Sequence, residues 1–369
     1  MNTVMTVCGP IPSEEMGLTS MHDHILADLS FFNEPITEEV RRGCPIDLNS
    51  TVQLKDLSYL RNGLAAYNAD NWNLTDADLM MQEVQHFKER GGNSILEPSA
   101  PGIRCGTDKL RLISERTGVH IIASTGFYRE ETWPARFTGM GPGDVQSYLL
   151  SEINDGIDGT EVKAGHIKTA IANGSEREFD VLKAVVPVAN ETGLLVTAHT
   201  SGATTVENRR KLLRTFLQEG MNPEKLLLCH IQFTFVNQDV RTFLHEPELC
   251  KLDLNWAKEV LDTGANVCVD LFGYPSDNDM LDRFGQADTV KLSGLVELIK
   301  AGYAEQLVIG NDVYQKIMTR TFGGHGYCRI VDYAIPGLIA GGIDQEAIDQ
   351  ITVSNPARLL QFQLNTDRS

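Results

Sequence analysis

Basic residues are scarce in this chain. Its 32 lysines and arginines face 50 aspartates and glutamates, giving a formal net charge of −18. Nucleic acids and anionic membranes favour basic surfaces, so neither is an expected partner. No apolar run reaches the roughly 18 residues that a membrane-spanning helix needs. The opening residues Met1-Asn2-Thr3-Val4 show no basic segment followed by an apolar one, so no secretory signal is expected. No C-x-x-C occurs, and the seven cysteines, Cys8, Cys44, Cys105, Cys229, Cys250, Cys268 and Cys328, are odd in number and scattered. That usage suits free thiols in a reducing cytoplasm better than a disulfide framework. Cys229 and Cys268 sit inside apolar patterns and are expected to fill core. Also missing are a Gly-x-Gly-x-x-Gly after the first strand and a Walker-type lysine loop, which leaves little support for a dinucleotide or nucleoside-triphosphate fold.

What is present is an alternation. After an extended lead-in over residues 1–15, Gly17–Ile25 reads as a strand. An interval of about 27–75 follows, with Pro35, Pro45 and room for short helices such as Thr51–Ala66. It is too long for an ordinary connection and reads as an elaborated loop or a small subdomain. From Asp76 onward helical and strand patterns take turns. The strands are Asn93–Glu97, Val119–Thr125, Gly165–Ala172, Leu194–His199, Lys225–His230, Ala265–Leu271 and Gln306–Gly310. The helices between them are Asp76–Arg90, Asp108–Arg116, Val145–Asn154, Glu176–Glu191, Thr204–Gln218, Asn255–Asp262 and Thr289–Ala301, and two more close the chain near Cys328–Ile339 and Asp344–Phe362. Continuous apolar strands, each followed by a helix, imply a parallel sheet buried on both faces. Eight such units imply an α/β (β/α)8 TIM barrel, one domain over 1–369 with an elaborated first βα loop.

In such barrels chemistry sits at the C-terminal strand ends. The polar residues falling there are His22 and His24, Lys168, His199, His230, and Asp312 just past the last strand. His22 and His24 are two apart, so in a strand they face one side, with Cα atoms roughly 6–7 Å apart. Any one strand-end histidine is more often a core residue than a ligand. Four histidines and an aspartate sharing one structural position favour a common metal site. Lys168 lies in the apolar run Gly165-His166-Ile167-Lys168-Thr169-Ala170, where an ammonium is costly unless paired or neutralised. It reads as a lysine paired to a buried carboxylate, as a neutral base, or as a carbamate formed with carbon dioxide. Cys229 is no nucleophile beside His230, because neighbours in a strand face opposite ways.

His22-Asp23-His24, Ala164-Gly165-His166-Ile167-Lys168, Thr197-Ala198-His199-Thr200, Cys229-His230, Gly310-Asn311-Asp312 and Val353-Ser354-Asn355-Pro356-Ala357-Arg358 resemble the motifs of the phosphotriesterase-like family of the amidohydrolase superfamily, in family order, over roughly residues 10–362. The resemblance implies two divalent metals, zinc above all, with manganese, cobalt or iron as alternatives. His22, His24 and Asp312 would hold the more buried metal, and His199 and His230 the more exposed one. Carbamylated Lys168 and a hydroxide would bridge them, the hydroxide acting as nucleophile and Asp312 as the base that takes its proton. The family pattern assigns His166 no metal, so it is expected as a core histidine below the site.

Thr125-Gly126-Phe127-Tyr128 resembles the T-G-x-Y of lactonase members and makes Tyr128 a substrate-orienting residue. Phe233 and Leu271 stand where phosphotriesterases carry an Asp–His proton shuttle, and Val269-Asp270-Leu271-Phe272-Gly273 departs from the D-R-Y-G of many lactonases. With Phe233, Phe272 and Tyr274 nearby, the implied activity is hydrolysis of a carboxylic ester or lactone with an apolar portion. Organophosphate hydrolysis and a sugar-phosphate lactonase are the alternatives. A non-catalytic barrel that only binds ligands would be missing ligand residues, and none of the six is missing. Tyr314, Arg320 and His325 are loop candidates for shaping the substrate pocket. The expected partner is a small molecule. A homodimer is the expected assembly, drawn only from the habit of related barrels.

Overall fold

The computed structural model describes residues 2–236, 240–249, 251–274 and 287–362, so Cys250 lies outside the described residues. Eight parallel strands run in the order of the chain: β3 (Thr19–Ser20), β4 (Ser94–Glu97), β5 (His120–Gly126), β6 (His166–Ile171), β7 (Leu195–Thr200), β8 (Leu226–Leu228), β9 (Asn266–Val269) and β10 (Leu307–Ile309). The two edges meet through Met21 N–H donating to Ile309 O at 2.9 Å and Asp312 N–H donating to His22 O at 2.7 Å. The result is a nearly closed (β/α)8 barrel with helices outside, as the alternation implies. β4 and β6 to β10 are buried along their full length, which is why they read as continuous apolar runs.

Local chemistry places the helices. Asp76 caps Ala77–Glu89 by accepting from Asp78 N and Leu79 N. Ser175 and Glu178 form a capping box at the start of Glu176–Thr192, which ends at Gly193 in a left-handed turn. The helices pack a core around the strands. A second core fills the barrel, with Met21, Leu96, Ile122, Leu195, Leu227, Cys229, Cys268 and Val308. Both cysteines are core fillers there, as expected.

Two expectations need correction. Residues 1–15 are not a plain lead-in. They form an antiparallel hairpin, β1 (Thr3–Thr6) with β2 (Gly9–Pro12). It packs by the N-terminal strand ends, where Val7 N–H donates to Ile121 O at 2.9 Å. The strand expected over Gly17–Ile25 keeps regular pairing only at Thr19–Ser20. Beyond it the chain bonds alternately to its two neighbours, Asp23 N–H to Leu96 O and His24 N–H to Val313 O, both at 3.1 Å. His22 and His24 therefore lie just past a strand.

The segment 27–75 holds short helical turns, among them Ser30–Phe32, Glu38–Gly43, Leu57–Tyr59 and Ala69–Trp72. It folds over the C-terminal strand ends. Lys316 Nζ meets Asp70 Oδ1 at 2.6 Å, and Arg61 Nη2 donates to Phe322 O at 2.9 Å, so the loop after β10 holds it down. Its apolar residues form two small clusters, Ala27, Leu29 and Trp72 against Tyr128, and Val52, Leu57 and Leu60 against Ile317.

Candidate metal centre

Strand ends carry the site, and three of them turn sharply there. His230 (φ 61°), Leu271 (φ 60°) and Asp312 (φ 50°) all adopt the left-handed conformation, at the exits of β8, β9 and β10. Non-glycine residues are rarely held so, and such strain concentrates at functional sites. Gly310 allows the first and last strands to close. A Cβ there would sit 2.8 Å from His22 N and 2.9 Å from His22 Cβ.

All six expected ligand residues converge and are buried. His22 Nε2 and His24 Nε2 lie 3.6 and 3.7 Å from Asp312 Oδ1. Lys168 Nζ is 3.4 Å from His22 Nε2. His199 Nδ1 and His230 Nε2 face each other at 2.7 Å. Lys168 forms no ion pair with a carboxylate among the described residues, so the paired-lysine reading finds no support. Tyr128 is buried, with its ring centroid 5.0 Å from that of His199.

The tautomers follow from what lies behind the rings. Asp270 Oδ2 accepts from His22 Nδ1 at 3.1 Å, and Asp270 Oδ1 accepts from His230 Nδ1 at 2.7 Å. Gln232 Nε2 and the His230 backbone N–H also donate to this carboxylate. On the other side His24 Nδ1 donates to Ser99 Oγ at 2.7 Å, and Ser99 Oγ donates to Glu97 Oε1. Each of these three imidazoles thus turns a bare Nε2 inward, the form a metal ligand needs. Asp270 can be grouped with His22 and His230 as a ligand on proximity alone. Its oxygens, however, accept from the Nδ1 edges, so it orients these two rings from behind.

Burial dominates the electrostatics. It lowers the pKa of His22 to about 3, with Lys168 adding to the effect, and lowers His24 and His199 well below the usual imidazole value. These rings are neutral and ready to coordinate. Burial raises Asp312 to about 7 and Glu97 to about 7. At Asp270 burial pushes upward but is outweighed by His230 and His22, which hold its carboxyl well below the ordinary range. His199 Nε2 is buried with no hydrogen-bond partner among the described residues. Imidazole nitrogens and a carboxylate turned on one another without enough protons to share make a donor set that fits a divalent cation.

His166 takes the expected place beneath the site. Its Nε2 donates to Glu97 O at 3.1 Å and its Nδ1 accepts from Thr197 Oγ1 at 3.3 Å, so both ring nitrogens are occupied by the fold.

A cavity of about 570 Å³ stands above the cluster. Barrel loops give it Tyr128, Arg129, Phe233, Leu271, Tyr274 and Tyr314, and the segment 27–75 gives it Phe32, Arg61 and Trp72. Three loop candidates fall elsewhere. Phe272 is packed into the core beneath Lys291 Nζ, and Arg320 and His325 do not line the cavity. Asp270, Ser99, Glu97 and Arg129 received no role from the sequence. Asp270 could have been found, since it follows its strand directly, as the expected ligand residues close or follow theirs.

The phosphotriesterase family model matches residues 2–360. An N-acetyltaurine hydrolase from Salmo salar is 27% identical over 367 residues, covering 97% of this chain and 98% of its own length. Among solved structures, a resiniferatoxin-binding protein from Rhodobacter sphaeroides superposes with a TM-score of 0.84 at 26% identity, covering 97% of this chain and 94% of that one. A lactonase from Listeria monocytogenes shares the fold with a TM-score of 0.74 at 20% identity, covering 98% and 99%. Among the described residues no helix is long and apolar enough to cross a membrane.

Proposed function

The chain belongs to the phosphotriesterase family and is a hydrolase, and from that premise we propose that it cleaves a carboxylic ester or lactone at a site holding two divalent metals. The observation that carries this reading is the convergence of His22 Nε2, His24 Nε2 and Asp312 Oδ1 beside Lys168 and the facing His199–His230 pair. In the proposed arrangement His22, His24 and Asp312 would hold one metal and His199 and His230 the other, with Lys168, as a carbamate, a further oxygen ligand. Bound metals would supply Lewis acidity and an acidified water. The protein's own groups do the rest. Asp270 and the Ser99–Glu97 pair fix the ligand rings. Asp312 accepts the proton of the attacking water and hands it to the leaving oxygen. The water oxygen bonds to the acyl carbon and the acyl–oxygen bond breaks. Tyr128, against His199, orients the acyl group.

Phe233 and Leu271, both lining the cavity, leave no titratable pair for a phosphotriester shuttle, which argues against organophosphate hydrolysis as the main activity. A second reading is amide hydrolysis. It is favoured by relatives named N-acetyltaurine hydrolase that align along 97% of this chain. The same groups serve it, with the proton from Asp312 passing to a departing nitrogen. A panel of aryl esters, lactones, N-acyl amides and one phosphotriester, run on metal-loaded enzyme, separates these outcomes. Dominant phosphotriester turnover would reverse the main reading, and dominant amide turnover would select the second.

A further inference from the structure

We propose that Arg129 is a specificity residue of this site, receiving a carboxylate or sulfonate at the end of the substrate remote from the bond that breaks. This rests on the acyl-hydrolase reading and adds the substrate's charge to it.

Arg129 follows Tyr128 directly and lines the same cavity. Its guanidinium lies over the rings of Phe31 and Phe32, with centroid distances of 5.7 and 5.1 Å. Nη2 pairs with Glu131 Oε1 at 2.6 Å, whereas Nε is buried with no hydrogen-bond partner among the described residues. A buried donor left unsatisfied is costly, and the cost is recovered when a ligand supplies the acceptor. A guanidinium presents a planar fork of donors that matches carboxylate-like oxyanions, and stacking on aromatic faces holds the fork in place.

The other charged groups around the cavity narrow the choice. Arg61 gives Nη2 to two backbone carbonyls, Ile317 O and Phe322 O, and so serves the loop. Glu34 and Asp312 are acidic and would repel an anion. On a chain of net charge −18, an anionic substrate needs a local cation to enter. Arg129 is placed to provide it. Because Tyr128 touches His199 and Arg129 is the next residue, the reacting carbonyl and the anion would be separated by a short linker.

The test is binding to the metal-loaded enzyme, followed by calorimetry with turnover recorded alongside. The probes are N-acetyltaurine, N-acetyl-β-alanine and the neutral N-propylacetamide, which keeps the acetamide and carries no ester for the enzyme to cut. Wild type is expected to bind at least one acid about 10- to 100-fold more tightly than the neutral amide, the range for hydrogen bonds to charged groups. Arg129→Gln should erase that preference and Arg129→Lys should keep part of it. Whether the sulfonate or the carboxylate binds better tells which oxyanion the site is built for. Equal binding of all three probes by wild type overturns the proposal, as does an unchanged preference in Arg129→Gln. If Arg129→Gln fails to fold, the wild-type comparison and Arg129→Lys decide. Preferential binding of the acids with no hydrolysis of any probe would leave Arg129 assigned and count against the hydrolytic reading instead.

Discussion

The cluster at the strand ends and the segment folded over it answer to different constraints. The cluster is built from residues spaced along the whole chain, each at a strand end and buried, with His22 and His230 fixed from behind by Asp270 and His24 by Ser99 and Glu97. The roof is contiguous, made of short turns and aromatic side chains, and tied down by a few contacts such as Asp70–Lys316. The cluster has the order needed to hold metal and move a proton. The roof shapes the space above it and brings Phe31 and Phe32 beneath Arg129. The lesson is a division of labour, with chemistry proposed for the strand ends and selectivity for the barrel loops and the cover above them.

Substitutions should separate the two regions. The largest effect is expected at Asp312→Asn, which keeps the shape of the side chain but removes the proton acceptor and weakens a ligand. Turnover should fall by about 10²–10⁴-fold with an unchanged far-ultraviolet circular dichroism spectrum. Wild-type turnover in this variant would detach the chemistry from the cluster. Next comes Asp270→Asn, which leaves His22 and His230 without a shared carboxylate behind them. Metal affinity, measured by competition with a chelating dye, should drop about 10- to 100-fold. An unaltered affinity would mean that the ring orientation is set elsewhere.

Gly310→Ala tests whether closure of the barrel and assembly of the cluster are one event. The added methyl meets the backbone of His22, so thermal unfolding should show a loss of about 1–3 kcal/mol, with lower metal content. Stability lost with full metal loading would separate the two. The smallest effect is expected in the roof. Trp72 lines the cavity and stacks on Tyr314 with centroids 5.9 Å apart. Trp72→Leu should alter KM by about 2- to 10-fold, the equivalent of the ~0.5–1.5 kcal/mol of one aromatic pair, and leave metal content alone. A loss of metal in this variant would break the division.

The same division explains what the sequence disclosed. A buried strand enforces a continuous apolar pattern, so β5 to β10 and the helices between them were legible to within a few residues. A histidine or lysine breaking such a pattern stands out, and this made Lys168, His199 and His230 visible. The first strand was read too long because His22 to Ile25 have an extended pattern but bond irregularly to both neighbours. The hairpin of Thr3–Pro12 was missed because its partially exposed second strand carries two prolines and little alternation. Roof residues gave no signal, since Phe31, Phe32 and Trp72 acquire their place only when a long segment folds back over the barrel. Arg129 looked like any other loop arginine, because an unpartnered Nε is a property of the folded surroundings.

The most direct test of the central claim is the metal count. Protein prepared without chelators, in zinc or manganese with bicarbonate, should carry roughly two metals per chain, and Lys168→Met should carry fewer while keeping the fold. A wild-type count near zero under these conditions, or an unchanged full count in Lys168→Met, would contradict a centre built around Lys168.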